Sequence, residues 1–305
     1  MEDAMPRRAH PFARSRTAAA LVAAAAALGL GAGAVQALPT HSERVTGAAA
    51  PAAPINPPGP YGYYMSLGDS LSMGYQPQTK DQPRAGYNGA VLKAVRATNR
   101  NTDIRTFGCS GETSTTFLKG GRCDYGEGSQ MARAEAFMKG RTNVRTITLS
   151  LGGNDVVPCA RSGSVDAECI QKATTTLTTN LAEIVRRLRA AAPNAQIVVL
   201  DNYDVFLGEW VKGAAGQETA KQSLIFSHLL TGVVSFAAFE GRADVAKVST
   251  YFHTDSWRPR KSASFGTLPR NVSLICDWTY YCSQGDIHPT DEGYARMATA
   301  VVAEL

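Results

Sequence analysis

Short apolar runs and longer amphipathic segments alternate along most of this chain. The runs of strand length, rich in apolar and β-branched residues, cover residues 63–67, 104–107, 144–151, 196–200 and 245–251. Segments with apolar residues at helical spacing separate or follow them, over residues 86–97, 129–138, 177–188, 217–239 and 290–305. This pattern predicts an α/β protein whose parallel sheet of about five strands is covered by helices on both faces.

The first 60 residues have a different composition. Residues 1–16 carry four arginines, residues 17–42 carry no charged side chain, and Val35-Gln36-Ala37 places small residues where a signal peptidase reads them. We predict a secretory signal peptide over residues 1–37, a Pro/Ala-rich linker over residues 38–60 and a folded domain over residues 61–305. An uncleaved membrane anchor is the alternative, but alanine and glycine make the apolar run only weakly hydrophobic. We therefore expect a secreted protein with no stable membrane anchor.

Charge and composition exclude few functions. The chain has 305 residues, 44% of them hydrophobic and 19% charged, which is ordinary for a globular protein. Its net charge of +5 becomes +3 when residues 1–37 are removed, because they contain four arginines and two acidic residues. A nucleic-acid-binding protein would carry a concentrated basic face. We therefore expect no nucleic-acid partner. Separately, we expect the protein to be a monomer.

Six cysteines lie in the predicted folded domain, at positions 109, 123, 159, 169, 276 and 282. An even number in an exported chain predicts three disulfides, although six cysteines permit about fifteen pairings. Their spacing favours neighbours, and we predict the pairs Cys109 with Cys123, Cys159 with Cys169, and Cys276 with Cys282. Zinc binding is the alternative, but the chain lacks Cys-x-x-Cys and its histidines are not at ligand spacing. We therefore expect no metal.

The sequence Gly68-Asp69-Ser70-Leu71 follows the first predicted strand. A serine there projects from the carboxyl end of a strand, where open α/β sheets place their reactive groups. The same residues are also typical of an ordinary turn. A nucleophilic serine needs a base, a group that orients the base, and donors for the oxyanion.

His288 is the best candidate for the base, because it lies in a loop immediately before the last predicted helix. The other histidines are less suitable. His10 and His41 precede the folded domain, His228 falls within a helical segment, and His253 follows a strand but has no motif around it.

Two further segments could supply oxyanion donors, and each also has an ordinary reading as a loop. Gly108 to Ser114 follow the second predicted strand, and glycines there allow backbone amides to approach a substrate closely. Leu151 to Asp155 follow the third strand and include Asn154, whose side chain offers two N–H donors.

Together these segments resemble the SGNH hydrolases, also called the GDSL lipase/esterase family, over most of residues 61–305. The matching blocks are Gly68-Asp69-Ser70-Leu71, Ser110-Gly111-Glu112-Thr113, Gly152-Gly153-Asn154-Asp155 and His288. The resemblance implies a flavodoxin-like three-layer α/β/α sandwich. It also implies that Ser70 is the nucleophile and His288 the base. The oxyanion hole would consist of the Ser70 and Gly111 N–H groups and the Asn154 side chain, with no cofactor.

The last block departs from the family pattern of Asp-x-x-His. Gly285 stands three residues before His288, and the aspartate, Asp286, stands two before. We predict that Asp286 is the acid that orients His288. The backbone carbonyl of Gly285 is the alternative, because a carbonyl can also accept the Nδ1 hydrogen of an imidazole.

The resemblance implies a secreted serine esterase or lipase that hydrolyses carboxylic esters through an acyl-serine intermediate. Its substrate would be a small-molecule, lipid or acylated-polysaccharide ester, with fatty-acyl esters as the first choice. A carbohydrate deacetylase of the acetyl-xylan type is the alternative, followed by a non-catalytic secreted binding module. The apolar segment 223–239 could line an acyl site, although such a run more often belongs to a core.

Overall fold

The computed structural model describes residues 62–161 and 164–305, so the predicted signal peptide and linker lie outside the described residues. Its main sheet has five parallel strands in the order β2-β1-β3-β4-β5. The strands are β1 (Tyr63–Gly68), β2 (Asp103–Thr106), β3 (Val144–Ser150), β4 (Gln196–Leu200) and β5 (Asp244–Ala246). This is the flavodoxin-like strand order, which confirms the predicted fold.

Helices cover both faces of this sheet. They are α1 (Gly86–Thr98), α2 (Ser114–Lys119), α3 (Gln130–Met138), α4 (Gly153–Val156), α5 (Ala167–Ala191), α6 (Ala214–Gly241), α7 (Val248–Tyr251), α8 (Arg270–Trp278), α9 (Tyr281–Gln284) and α10 (Asp291–Val302). Residues of α3, α5 and α6 form one core with the sheet, and residues of α1, α8 and α10 form a second core on the opposite face. The molecule therefore has the three α/β/α layers that the sequence predicts.

The alternation of side-chain direction along each strand explains why a core forms on each face of the sheet. In β1, Met65 and Leu67 belong to the first core, whereas Tyr64, which immediately precedes Met65, belongs to the second. All three side chains are fully buried. Because successive side chains of a strand point to opposite faces, an almost continuous apolar strand is the form that a sheet covered on both sides requires.

The prediction of a strand over residues 245–251 is wrong beyond its first residues. The strand β5 ends at Ala246, and Val248 begins the short helix α7. The carboxylate of Asp201 accepts hydrogen bonds from the Ser249 N–H at 2.9 Å and the Ser249 hydroxyl at 2.5 Å. Asp201 lies just beyond the end of β4, and its contact with Ser249 turns the chain. This turn overrides the preference of the β-branched run for a strand.

Three disulfides join the pairs predicted from the spacing. They are Cys109–Cys123, Cys159–Cys169 and Cys276–Cys282. The first ties the loop after β2 to the loop after α2, and the third joins α8 to α9, just before His288. Two of the three crosslinks therefore brace loops that carry predicted site residues.

The helix α6 is the one helix in residues 62–161 and 164–305 that is long and apolar enough to cross a membrane, on length and composition alone. Buried core helices meet the same criterion. Val233 and Val234 of this helix pack into the first core, whereas Leu229 and Phe236 remain about half exposed. One face of the apolar segment therefore packs in the core, whereas its opposite face remains exposed.

Candidate active site

Ser70 lies in a tight turn at the carboxyl end of β1. Gly68 has a φ of 123°, and a Cβ atom at this position would lie 1.8 Å from the Ser150 carbonyl oxygen, so only glycine fits. The Asp69 carboxylate accepts a hydrogen bond from the Leu71 N–H at 3.0 Å. These two features bend the chain so that Ser70 lies beside the end of β3. The order of strands reverses between β1 and β3, and doubly wound sheets bind their ligands at this point.

The imidazole of His288 lies between Ser70 and Asp286. Its Nε2 atom is 2.8 Å from the Ser70 Oγ, and its Nδ1 atom is 2.7 Å from the Asp286 Oδ1. An ionised carboxylate only accepts hydrogen bonds, so the hydrogen of a neutral imidazole resides on Nδ1. The Nε2 atom is then free to accept the hydrogen of the Ser70 hydroxyl.

A turn brings Asp286 to this position although it is only two residues before His288. Gly285 ends α9 in the left-handed region, with a φ of 69°. The Asp286 Oδ1 atom then accepts a hydrogen bond from the backbone N–H of His288 at 2.9 Å as well as from the ring. This is the Asx-turn that aspartate forms two residues before a backbone donor. Asp286 is the only partner of Nδ1 among the described residues.

Residues distant in sequence hold the loop that carries His288 in place. The Tyr203 hydroxyl donates a hydrogen bond to the Ile287 carbonyl at 2.7 Å, and the His288 carbonyl accepts one from the Tyr280 N–H at 3.0 Å. The ring of Tyr75 packs against the imidazole with 4.4 Å between ring centroids. Sequence reasoning missed these supporting roles, because no motif connects residues 75, 203 and 280 to the histidine.

The three predicted oxyanion donors are available for a ligand. Among the described residues, neither the Ser70 N–H nor the Gly111 N–H donates a hydrogen bond. The Asn154 Nδ2 atom donates one hydrogen bond, to the Glu112 carbonyl at 3.0 Å. An amide nitrogen carries two hydrogens, so this contact orients the Asn154 side chain and leaves its second N–H unused.

A buried polar network connects the loop that carries Gly111 to the turn that carries Ser70. The fully buried carboxylate of Glu112 accepts hydrogen bonds from the Tyr125 hydroxyl and the Gln130 Nε2 atom, both at 2.9 Å. Gln130 also bonds both backbone groups of Gly68, at 2.6 Å to its N–H and 2.9 Å to its carbonyl. The network fixes Gly68 and Glu112 relative to each other, and nothing in the sequence indicated Gln130 or Tyr125.

Buried carboxyl groups surround the turn at Ser70. Burial raises the pKa of Asp69 to about 7, and the nearby negative charges of Asp155 and Glu112 add to this shift. Burial also raises the pKa of Asp155, which accepts hydrogen bonds from the Ser114 N–H at 3.0 Å and the Ser114 hydroxyl at 2.6 Å. Asp155 thereby ties the start of α2 to the segment that carries Asn154.

A pocket opens beside Ser70 and His288, with a cavity volume of about 100 Å³. Its wall is largely apolar, with side chains of Val156, Val157, Ile170, Val205, Phe206, Phe226 and Leu230. Phe226 and Leu230 belong to α6, so part of the apolar segment 223–239 lines this pocket. A mainly apolar pocket with a few polar groups is the usual form of a small-molecule site.

The other two histidines of the folded domain, His228 and His253, contact side chains other than Ser70. His228 is exposed on α6 and lies 2.7 Å from an Asp255 carboxylate oxygen. His253 lies 2.8 Å from an Arg270 guanidinium nitrogen, and burial together with that positive charge lowers its pKa. Within the described ranges, no group of three or more histidine, cysteine or acidic residues is arranged to hold a metal ion.

Residues 66–224 match the sequence model of the GDSL-like lipase/acylhydrolase family, which is about half of the chain. The matched range includes Ser70, Gly111 and Asn154 and ends before His288. No curated protein matches the chain at a significant level.

Solved structures that are similar to this chain include two lipases and a phospholipase. An extracellular lipase from Streptomyces rimosus has a TM-score of 0.53 and 18% identity, over 80% of this chain and 100% of that chain. The lipase Lip_vut3 from a goat rumen metagenome has a TM-score of 0.51 and 15% identity, over 80% and 97%. Phospholipase A1 from Streptomyces albidoflavus NA297 has a TM-score of 0.49 and 19% identity, over 80% and 99%. At these identities, the similarity to the two lipases shows the fold alone.

Proposed function

Because the chain belongs to the GDSL-like lipase/acylhydrolase family, we propose that it is a secreted serine esterase or lipase acting on carboxylic esters. The continuous hydrogen-bonded chain from Ser70 through His288 to Asp286 is the observation that carries this proposal. These three groups would act as the nucleophile, the base and the acid that orients the base in covalent catalysis by serine.

The proposed reaction begins when the Ser70 Oγ attacks the ester carbonyl carbon. The His288 Nε2 accepts the hydroxyl proton, and Asp286 stabilises the resulting imidazolium. The carbon–oxygen bond to the alcohol then breaks, and His288 returns the proton to the departing alkoxide. Water next attacks the acyl-serine, again giving a proton to His288, and the carboxylic acid leaves as Ser70 regains its hydrogen. No step needs a cofactor.

The Ser70 N–H, the Gly111 N–H and the free N–H of Asn154 would stabilise the oxyanion of each tetrahedral intermediate. Replacing Asn154 with alanine is therefore expected to lower kcat by about 10²–10³-fold with little change in KM. Steady-state kinetics on p-nitrophenyl butyrate would measure this. Asn180→Ala is a matched control, because the Asn180 amide bonds the hydroxyls of Ser114 and Thr115, outside the pocket. A loss no greater for Asn154 than for Asn180 would remove Asn154 from the oxyanion hole.

Two features of the pocket bear on the polarity and the length of the acyl group that it would hold. Its apolar wall favours a fatty-acyl or other lipid ester as the substrate, because the wall would exclude water from an alkyl chain. Its small volume of about 100 Å³ favours a short acyl group instead. Deacetylation of a carbohydrate such as xylan is therefore the second candidate function.

Hydrolysis of p-nitrophenyl esters with acyl chains from two to sixteen carbons would test the proposed function on the purified mature chain. We expect kcat/KM to rise beyond the acetyl ester, because each added methylene buries apolar surface against the pocket wall. Acetylated xylan is the parallel substrate. A maximum at the acetyl ester together with release of acetate from xylan would reverse the order of the two candidates. Inertness toward every ester would favour a non-catalytic binding module.

Secretion is part of the same proposal. Disulfides persist mainly in oxidising environments outside the cytosol, and this chain has three of them. The sequence of residues 1–37, with its arginines followed by an uncharged apolar stretch, is typical of a signal peptide. We expect the mature protein to act as a monomer, on esters that it meets outside the cell.

A further inference from the structure

Glu112 contacts the segments that carry two of the three groups predicted to bind the oxyanion. Its backbone N–H donates to the Cys109 carbonyl at 3.0 Å and closes the turn that presents the Gly111 N–H. Gly111 has a φ of 83° in this turn, a conformation that glycine adopts readily. The Glu112 carbonyl accepts the hydrogen bond that orients the Asn154 side chain, at 3.0 Å. The position of Glu112 therefore sets the direction of the Gly111 and Asn154 donors.

Gln130 joins Glu112 to the base of the turn that carries Ser70. The Gln130 Nε2 atom donates to the Glu112 Oε2 atom and to the Gly68 carbonyl, both at 2.9 Å. The Gln130 Oε1 atom accepts a hydrogen bond from the Gly68 N–H at 2.6 Å. These contacts engage both hydrogens and the oxygen of an amide that is fully buried. Because Gly68 lies two residues before Ser70, the same amide also holds the segment that presents the third donor, the Ser70 N–H.

The Glu112 side chain keeps this position although its burial is unfavourable. Its Oε2 atom accepts hydrogen bonds from Gln130 and Tyr125, but its Oε1 atom is shielded from solvent and has no partner among the described residues. A buried carboxyl oxygen without a donor lowers the stability of a protein, so such a group calls for a functional explanation. An apolar residue at position 112 would be easier to bury, but it could not accept the hydrogen bond from Gln130.

We propose that Gln130 is a positioning residue for the oxyanion hole, which holds the donors of Ser70, Gly111 and Asn154 at the spacing that a tetrahedral oxyanion requires. The inference rests on the proposed esterase function. Gln130 is fully buried and does not line the pocket, so it acts through these donors and not on the substrate. Donors that are fixed before the reaction need no reorganisation when the negative charge develops. Gln130 therefore affects turnover and leaves substrate binding unchanged.

Gln130→Met tests the proposal, because methionine has a similar length and forms none of the three hydrogen bonds. We expect kcat for p-nitrophenyl butyrate to fall about 10²-fold with little change in KM, the scale expected when catalytic groups are displaced by about 1 Å. The rate at which a p-nitrophenyl phosphonate modifies Ser70 should fall in parallel, because that reaction also places a negative oxygen in the oxyanion hole. Both rates are measured on the mature chain.

A double-mutant cycle with Asn154→Ala tests whether Gln130 acts through the oxyanion donors. A donor that is already absent cannot be displaced, so the two losses should overlap. We expect Gln130→Met to lower kcat only about tenfold in the Asn154→Ala background, against about 10²-fold in the wild type. An equal loss in both backgrounds would show that Gln130 acts independently of the oxyanion hole, and would overturn the proposal.

Asn271→Leu is the matched control for a purely structural role. Asn271 is also a fully buried amide, and its Nδ2 atom donates to the Thr254 carbonyl at 2.9 Å, outside the pocket. We expect both substitutions to lower Tm, but only Gln130→Met to lower kcat once the rates are normalised to the folded fraction by circular dichroism. Equal changes of kcat in the two variants would assign Gln130 a structural role only and would overturn the proposal.

Tyr125→Phe keeps the proposal testable if Gln130→Met does not fold. It removes only the hydroxyl that donates to Glu112 at 2.9 Å, and it leaves Gln130 in place. Because the Glu112 carboxylate would be less firmly held, we expect kcat to fall about fivefold at unchanged KM, the scale of one lost hydrogen bond. An unchanged kcat in this variant would then overturn the role of the network.

The wild-type chain separates this proposal from the proposed function. Hydrolysis of the ester by the wild type, with kcat unchanged in a folded Gln130→Met variant, would overturn the role of Gln130 and leave the esterase function intact. Failure of the wild-type chain to hydrolyse the ester would overturn both.

Discussion

Replacing Ser70 with alanine is expected to abolish ester hydrolysis, with kcat lowered by about 10⁶-fold, the scale seen when a serine hydrolase loses its nucleophile. The Ser70 Oγ is the group in hydrogen-bond contact with the His288 Nε2, and alanine offers no atom for His288 to activate. Kinetics with p-nitrophenyl butyrate on the mature chain would measure the loss. Circular dichroism would verify that the variant is folded.

A chemical label makes this test more specific. A p-nitrophenyl phosphonate ester should modify one serine per chain, and peptide mapping should locate the phosphonate on Ser70. Ser249→Ala is a suitable control, because the Ser249 hydroxyl also donates to a carboxylate but bonds Asp201. We expect Ser249→Ala to retain most of its activity and its labelling. Activity that persists in Ser70→Ala, or a label on another serine, would contradict the assignment of the nucleophile.

The second large effect is expected from Asp286→Asn, which should lower kcat by about 10⁴-fold, as the loss of an orienting aspartate does in a serine triad. An asparagine amide can donate to the Nδ1 atom of His288, which would place the ring hydrogen on Nε2. The histidine would then be unable to accept the proton of Ser70. The neutral amide would also leave the imidazolium without a compensating negative charge.

The control for this variant is Asp291→Asn, which makes the same change at an exposed aspartate whose carboxylate accepts a hydrogen bond from Gln76. We expect Asp291→Asn to remain nearly as active as the wild type. If Asp286→Asn also kept near-full activity, Ser70 and His288 would form a dyad. A backbone carbonyl such as that of Gly285 would then be the group that orients the ring.

The spacing of apolar residues along the sequence predicted most of the fold, because this spacing reflects which side of each helix or strand is buried. Apolar runs predicted all five strands of the sheet, and β4 has the predicted bounds. In α5, the predicted apolar stripe of Leu177, Leu181, Ile184, Val185 and Leu188 is almost completely buried. The strand predicted over residues 245–251 failed beyond Ala246, because a contact between Asp201 and Ser249 decided the path of the chain there.

The candidate site could be located from sequence for a related reason. Parallel strands end at the same edge of a sheet, so three polar segments that each follow a strand must lie near one another. Ser70, Gly111 and Asn154 follow β1, β2 and β3 in this way. The order of residues could not decide between Asp286 and the Gly285 carbonyl, because that choice depends on the left-handed conformation at Gly285 and on the turn that follows it.

By itself, the sequence determined the alternation of elements, the pairing of neighbouring cysteines and the segments that carry reactive side chains. All of these depend on residues close together in the chain. Only the tertiary structure decided which groups meet, as with Ser70 and His288, which are 218 positions apart and 2.8 Å from each other. It also brought Gln130 to Gly68 and to Glu112. These relations arise from the packing of distant segments, which neither local propensity nor the period of apolar residues records.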